Sequence, residues 1–181
     1  MKRGCVTAYY RRYSRSDSLL NVPQRAAEGY PMLSLCVLGN TVDQDVVQSI
    51  RDEVGNVVVM TGTSLRGMIN VVTSPWWMLL YENEYLTKGL LAALPQLVTF
   101  DAASNFEGFT FFRIDTAIKN QFTYHTRLIN SLVPYNVTAM RPAVEGRYER
   151  ILNGWVVYDQ HHNKNERRVL QEGKEQVRSH C

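Results

Sequence analysis

Residues 31–158 predict an α/β protein in which a central mixed sheet carries helices on both faces. Three observations support that class. Short β-branched or aromatic runs alternate with segments of helical apolar spacing, Gly, Asn or Pro falls at most changeovers, and no repeat or Gly/Ser linker divides the stretch.

The run MLSLCVL at residues 32–38 is short, apolar and closed by Gly39-Asn40, which marks a buried strand. Thr41 with Gln44 three residues later forms a capping-box pattern, and Val42, Val46, Val47, Ile50 and Val54 keep helical spacing until Gly55-Asn56. Residues 57–60 (VVVM) are β-branched and predict the next strand. Thr63 or Ser64 then caps a short helix whose Leu65, Met68, Ile69 and Val72 recur at i, i+3, i+4 and i+7. WWMLLY at residues 76–81 is the third strand. It runs through the polar corner Glu82-Asn83-Glu84 into Tyr85, Leu86, Leu90, Leu91 and Leu94, which predicts a long helix starting at that corner. FTFFRID at residues 109–115 reads as a strand. A helix is expected from Lys119, with Phe122, His125, Leu128, Ile129 and Leu132 on one side and Pro134 as its stop. Residues 143–150 and 151–158, divided around Asn153-Gly154, suggest an antiparallel pair of strands.

The 181 residues are 45% hydrophobic and 20% charged, enough apolar material for one packed core with arms. A net charge of +3 falls short of the dense Lys/Arg stripe of a dedicated nucleic-acid binder. No run reaches the ~18 to 20 apolar residues of a spanning helix, which points to a soluble or peripheral protein. Cys5, Cys36 and Cys181 are odd in number and far apart, so neither a disulfide framework nor a zinc site is legible. The first sixteen residues carry Lys2, Arg3, Arg11, Arg12 and Arg15 without an acidic residue, and resemble an Arg- and Ser-rich organellar transit segment. Two readings of residues 1–30 stand: an uncleaved mitochondrial targeting segment that also docks, and a plain basic arm lying on a partner.

Over residues 57–158 the order VVVMT, SLRGMINVV, WWMLLYEN, long helix, FTFFRID, second helix and closing hairpin resembles the thioredoxin fold of thioredoxins and protein disulfide isomerases. The segment PYNVTAMRPAVEGRYERILNG is similar to that family's passage from a helix exit through a cis-proline into the last two strands. The resemblance implies a thioredoxin-like domain at 57–158, an additional β-α element at 31–56, and a polar extension at 159–181. Pro142 would be the cis-proline, with one residue more than usual between it and Tyr135-Asn136-Val137. The family's Cys-x-x-Cys should fall within residues 84–90, yet no cysteine lies between Cys36 and Cys181. Dithiol exchange needs a low-pKa thiolate at a helix N-terminus and a resolving thiol one turn on. The resemblance therefore implies a redox-inactive member in which Glu84, Tyr85, Lys88 and Pro142 hold degenerate active-site positions, with no cofactor.

Other candidates have plainer explanations. Glu82 and Glu84 could pair as acid and base, but carboxylates at a helix start ordinarily serve the helix dipole. Tyr85 sits near the place where some glutathione transferases of this superfamily keep a catalytic hydroxyl, although its phase with Leu86 favours packing. His125 on an apolar face is a boundary residue. His161-His162 with His180-Cys181 lack metal-ligand spacing, and the sequon Asn136-Val137-Thr138 has no secretory signal to give it weight.

The expectation is a catalytically inactive structural or interaction subunit of a larger mitochondrial assembly, with a respiratory-chain complex favoured over the mitochondrial ribosome. Its partners would be other protein subunits, and any membrane association would run through them. Tyr9, Tyr10, Arg11, Arg12, Tyr13 and Arg15 form the candidate partner-binding arm; aromatic and cationic side chains also suit RNA, which the low charge disfavours. Two alternatives remain. One is a superfamily enzyme or chaperone that binds peptide or a thiol at the Tyr85/Pro142 corner. The other is a doubly wound sheet starting at Met32, with a ligand site at a strand end, which a mid-sheet strand at 32–38 or a trans peptide before Pro142 would favour.

Overall fold

β1 (Leu33–Leu38), α1 (Gln44–Val54), β2 (Val57–Gly62), α2 (Leu65–Asn70) and β3 (Trp76–Tyr81) follow one another in a computed structural model that describes residues 29–99, 106–118 and 122–159. β1 is parallel to both of its neighbours, with Leu35 in register with Val59 of β2 and Met78 of β3. Because side chains alternate along a strand, β1 feeds two cores. Leu33, Leu35 and Val37 pack with Val47 and Ile50 of α1, while Cys36 packs with Leu65, Met68 and Ile69 of α2. Burial on both sides explains why residues 32–38 show no polar alternation. Asp43, and not Thr41, caps α1: its Oδ1 accepts the Asp45 N–H at 3.0 Å, and Gly55 at φ 87° ends the helix. Ser64 caps α2 by accepting the Gly67 N–H.

The chain continues as β4 (Glu84–Leu86), α3 (Lys88–Thr99), β5 (Gly108–Asp115), β6 (Phe122–Asn130), β7 (Tyr135–Asn136), β8 (Arg141–Pro142) and β9 (Tyr148–Tyr158). Seven strands form a mixed sheet in the order β2-β1-β3-β6-β5-β9-β4, and β7 and β8 make a separate short ladder. Leu90, Leu94 and Val98 of α3 join the core of α1. Four ladder steps separate β3 from β4, or about 19 Å in a flat sheet with strands about 4.8 Å apart. Only Glu82 and Asn83 connect the two strands, a link that spans about 11 Å at most. The sheet must therefore curl until its last strand returns to its third, and the Tyr81 N–H does meet the Glu84 carboxylate at 2.7 Å.

Several expectations are corrected. Residues 122–130 are a strand, not a helix. Phe122, Thr123, Tyr124 and Thr126 suit a pleated surface, and pairing with β5 and β3 outweighs the helical spacing of Leu128 and Ile129. The helix expected from Glu84 begins at Lys88, because Glu84, Tyr85 and Leu86 pair with Tyr158, Val157 and Val156. Residues 143–158 do not fold back at Asn153-Gly154. There β9 runs on beside β5 while the register jumps from Phe111↔Ile151 to Phe112↔Trp155, so residues 152–154 bulge out. The bulge is set by α3: a Cβ on Gly154 would lie 2.5 Å from the Leu90 backbone.

The thioredoxin-like order is not reproduced, since β6 stands where a helix was expected and one strand replaces the closing hairpin. β1 lies inside the sheet, hydrogen-bonded on both edges. No described peptide is cis, and Pro142 follows a trans bond. A mid-sheet β1 and a trans Pro142 are the features expected to favour a doubly wound sheet from Met32, of which the structure shows the run β1-α1-β2-α2-β3 within a mixed, curled sheet.

Candidate functional site

The connection β1-α1-β2 leads to one side of β1, and β2-α2-β3 returns to the other. The strand order reverses at β1, and an open parallel sheet holds its ligands at such a switch point; in this sheet the loops leaving β1 and β3 at their carboxyl ends stay in contact. Here the two strand ends and α1 frame a small crevice of about 10 Å³, with Val37, Leu80, Val42 and Val46 as apolar walls and Asp43, Glu82 and Glu84 as polar groups.

Glu82 ties the two loops together. One carboxylate oxygen accepts the Thr41 hydroxyl at 2.6 Å and the other accepts the Asn40 N–H at 3.2 Å. Its own N–H donates to the Leu38 carbonyl at 3.2 Å, and the Gly39 N–H reaches Gly62 at 2.9 Å, which fixes β2 to the same corner. Glycine is required at position 39, because a Cβ there would come within 2.6 Å of both Cβ and Oε2 of Glu82. The result is a carboxylate held at the crevice lip in a geometry that already grips a hydroxyl.

Glu84 points the other way, into the curl. β3 pairs with β6 only from Trp76 to Met78, so beyond Met78 the β3 backbone lacks a strand on that side, and unmet peptide groups there would be costly. Side chains take the strand's place. Arg127 donates through Nη1 to the Leu79 carbonyl at 3.2 Å, and Glu84 accepts the Tyr81 N–H at 2.7 Å. The two side chains then pair bidentately at 2.8 and 2.9 Å, and Arg113 Nε adds a bond to Glu84 at 2.7 Å. A β-bulge aims Arg127: Phe109 faces Leu128 but Thr110 faces Thr126, leaving Arg127 as the extra residue. The guanidinium of Arg127 lies 4.8 Å from the Tyr81 ring centre and that of Arg113 lies 4.7 Å from Tyr158.

These bonds decide what the groups can do. Glu84 is fully buried and accepts four hydrogen bonds, so it cannot serve as a general base. His125, half-buried and bonded to the Thr123 hydroxyl at 2.9 Å, has its pKa lowered by burial and then by Arg127 and Arg113, with Glu84 opposing. Among the described residues no three His, Cys, Asp or Glu side chains converge as a metal site, and no helix is long and apolar enough to cross a membrane.

Of the residues singled out in the sequence, Glu82 and Glu84 meet at one corner, in different roles from those expected: neither starts a helix. Tyr85 pairs with Val157 in β4, Lys88 opens α3, and Pro142 pairs with Tyr135 in the separate ladder, so Tyr85 and Pro142 belong to different sheets. The side chain of Asn136 accepts the N–H groups of Thr138 and Ala139. Tyr9, Tyr10, Arg11, Arg12, Tyr13 and Arg15, with His161, His162, His180 and Cys181, lie outside the described residues. Arg113 and Arg127 went unnoticed, although an arginine inside FTFFRID and another in TYHTRLIN are each a charge in a run otherwise suited to burial. Compared with known proteins, the chain matches no family model and no curated protein.

Proposed function

We propose that this chain is a ligand-binding α/β domain whose site is the crevice between the carboxyl ends of β1 and β3, and that it takes a small ligand presenting hydroxyl groups, of the nucleoside or sugar class. The observation that carries this reading is Glu82 at the switch point. Its carboxylate stands at the lip and accepts a hydroxyl, that of Thr41, at 2.6 Å, which is how an acidic residue at such a strand end holds a ribose. Val37 and Leu80 are core side chains, 5% and 1% exposed, so a ring would rest on the partly exposed Val42 at the mouth of the crevice. Thermal-shift titration with nucleosides, nucleotides and simple sugars tests it, using the wild type and Glu82→Gln. A hydroxyl-rich ligand should raise the melting temperature of the wild type and do less for the variant. No shift from any of them, or an equal shift in both proteins, overturns it.

A second reading, an interaction subunit of a larger assembly, draws on a separate observation. Phe122 and Tyr124 of β6 are 58% and 39% exposed, and both pack on Phe112 of β5, with Arg150 over the Tyr124 ring at 4.4 Å. Exposed aromatics joined to an arginine have the composition of an interface core. Co-purification of stable partners with the wild type, lost in Phe122→Ser/Tyr124→Ser, would favour this reading; a monomer that captures nothing would remove it.

A further inference from the structure

We infer that Arg113, with Thr123 and His125 beside it, forms an oxyanion subsite for a phosphate group on the outer side of the Glu84 cluster. Glu84 also lines the crevice, but Arg113, Thr123 and His125 do not, so the inference does not depend on the crevice ligand.

The charges do not balance at Glu84. One carboxylate meets two guanidiniums, and Arg127 takes both of its oxygens in a bidentate pair at 2.8 and 2.9 Å. Arg113 joins only through Nε. Among the described residues its terminal amino groups make no further hydrogen bond, and its side chain is 21% exposed, against 3% for Arg127. A guanidinium fixed at Nε and steadied over the Tyr158 ring, 4.7 Å away, is pre-aimed, so little rotamer freedom remains to be lost when an anion docks on its outer edge.

The register places two more polar side chains on the same face. Arg113 stands directly opposite Thr123, and His125 is Thr123's next neighbour on that side of β6. Thr123 and His125 already share a hydrogen bond, so their polar atoms are turned toward each other next to Arg113. Two carboxylates at this end of the sheet keep their negative charge: Asp115, which accepts the Ala117 N–H at 2.9 Å, and Asp159, 3.5 Å from the Thr116 hydroxyl. The charges that act on His125 are two positive, Arg127 and Arg113, and one negative, Glu84. A fork of guanidinium nitrogens with a hydroxyl and an imidazole suits a tetrahedral oxyanion, whose several oxygens can meet donors from different directions.

The test follows His125 by NMR in the full chain, at constant ionic strength held with chloride. Inorganic phosphate, pyrophosphate and adenosine monophosphate are added in separate arms, with acetate as a planar carboxylate control. Phosphate should shift the His125 ring signals saturably and raise its pKa. Arg113→Gln should weaken binding about tenfold or more, the loss of a charge-assisted hydrogen-bonded pair. Arg113→Lys keeps the charge but not the fork and should fall between them. If Arg113→Gln does not fold, the lysine variant alone decides. Tighter binding of the nucleotide than of inorganic phosphate assigns the source to a phosphorylated ligand, and equal binding assigns it to free phosphate. Glu82→Gln should leave the inorganic phosphate arm unchanged, which separates this result from the fate of the crevice. A linear, unsaturable response to every anion, equal binding by Arg113→Gln, or tighter binding of acetate than of phosphate overturns the inference.

Discussion

Glu84 and Arg127 meet in a bidentate pair at 2.8 and 2.9 Å, and together they replace the strand that β3 lacks beyond Met78. Arg127 satisfies the Leu79 carbonyl and Glu84 the Tyr81 N–H, so the pair closes the curl as well as neutralising itself. Removing Arg127 orphans the Leu79 carbonyl and leaves buried Glu84 paired with Arg113. Arg127→Met is expected to cost about 1–3 kcal/mol of stability in urea unfolding. Replacing both, Glu84→Leu with Arg127→Met, should cost less than the sum of the single changes. Strict additivity would mean that the pair does not act as a unit.

The approach of α3 to β9 makes a second prediction. A Cβ on Gly89 would sit 2.0 Å from the Asn153 carbonyl oxygen, and one on Gly154 would sit 2.5 Å from Leu90 backbone atoms. Neither neighbour is the end of a flexible side chain, so the backbone must move. Gly89→Ala and Gly154→Ala should each lose about 1–3 kcal/mol, the usual range for overpacking. Gly62→Ala, where a Cβ meets nothing within 4 Å, should fall within about 0.5 kcal/mol of wild type. Chemical denaturation of the three variants side by side checks the order, and a Gly62 variant as damaged as the other two would contradict it.

Burial controls the Cys36 thiol. Enclosed between β1 and the α2 core, its pKa is pushed up to about 12 by desolvation of the thiolate. In a Cys5→Ser/Cys181→Ser variant the native protein should resist alkylation at pH 8, and the unfolded protein should react at the rate of an ordinary thiol. The linkage has a definite sign: the folded state holds the proton longer, so Cys36 favours folding fully below about pH 9 and that contribution is lost as pH rises toward 12. Rapid labelling under native conditions, as fast as in urea, would mean that the thiol is not enclosed.

The elements that the sequence made legible are those whose local signals and tertiary setting agree. β1, α1, β2, α2 and β3 each carry one period and one closing Gly, Asn or cap residue, and Ser64 caps α2 as expected. The failures begin where pairing partners are distant. Phe122, His125, Leu128 and Ile129 fit a helical face by spacing, yet β5 and β3 recruit them into a strand, and a bulge at Arg127 breaks the period of two that would have revealed it. Tyr85 and Leu86 continue a helical apolar pattern, but β9, some seventy residues later in the chain, pairs with them instead. The corner at Glu82 was visible as a polar break between apolar runs. Its chemistry was not, because nothing local to ENE tells that one glutamate turns to the β1 loop and the other meets arginines from β5 and β6.

His125 supplies a pH dependence that separates its causes. Burial lowers its pKa first, Arg127 and Arg113 lower it further, and Glu84 acts in the other direction. The folded state therefore holds this proton less tightly than the unfolded chain, whose value lies near 6.5. Stability from this group is fully present above pH 6.5 and is lost as pH falls through the folded value. Arg113→Gln removes one of the charges that depress the imidazole while leaving the Glu84–Arg127 pair in place. The His125 pKa should rise in that variant, and the acid loss of stability from this group should become shallower. NMR titration of the ring protons gives the first quantity, and urea midpoints measured from pH 7.5 down to 5 give the second, with His125→Gln as the reference that cannot titrate. An unmoved His125 pKa in Arg113→Gln would show that the Arg113 charge does not reach the ring and that burial and Arg127 set the shift.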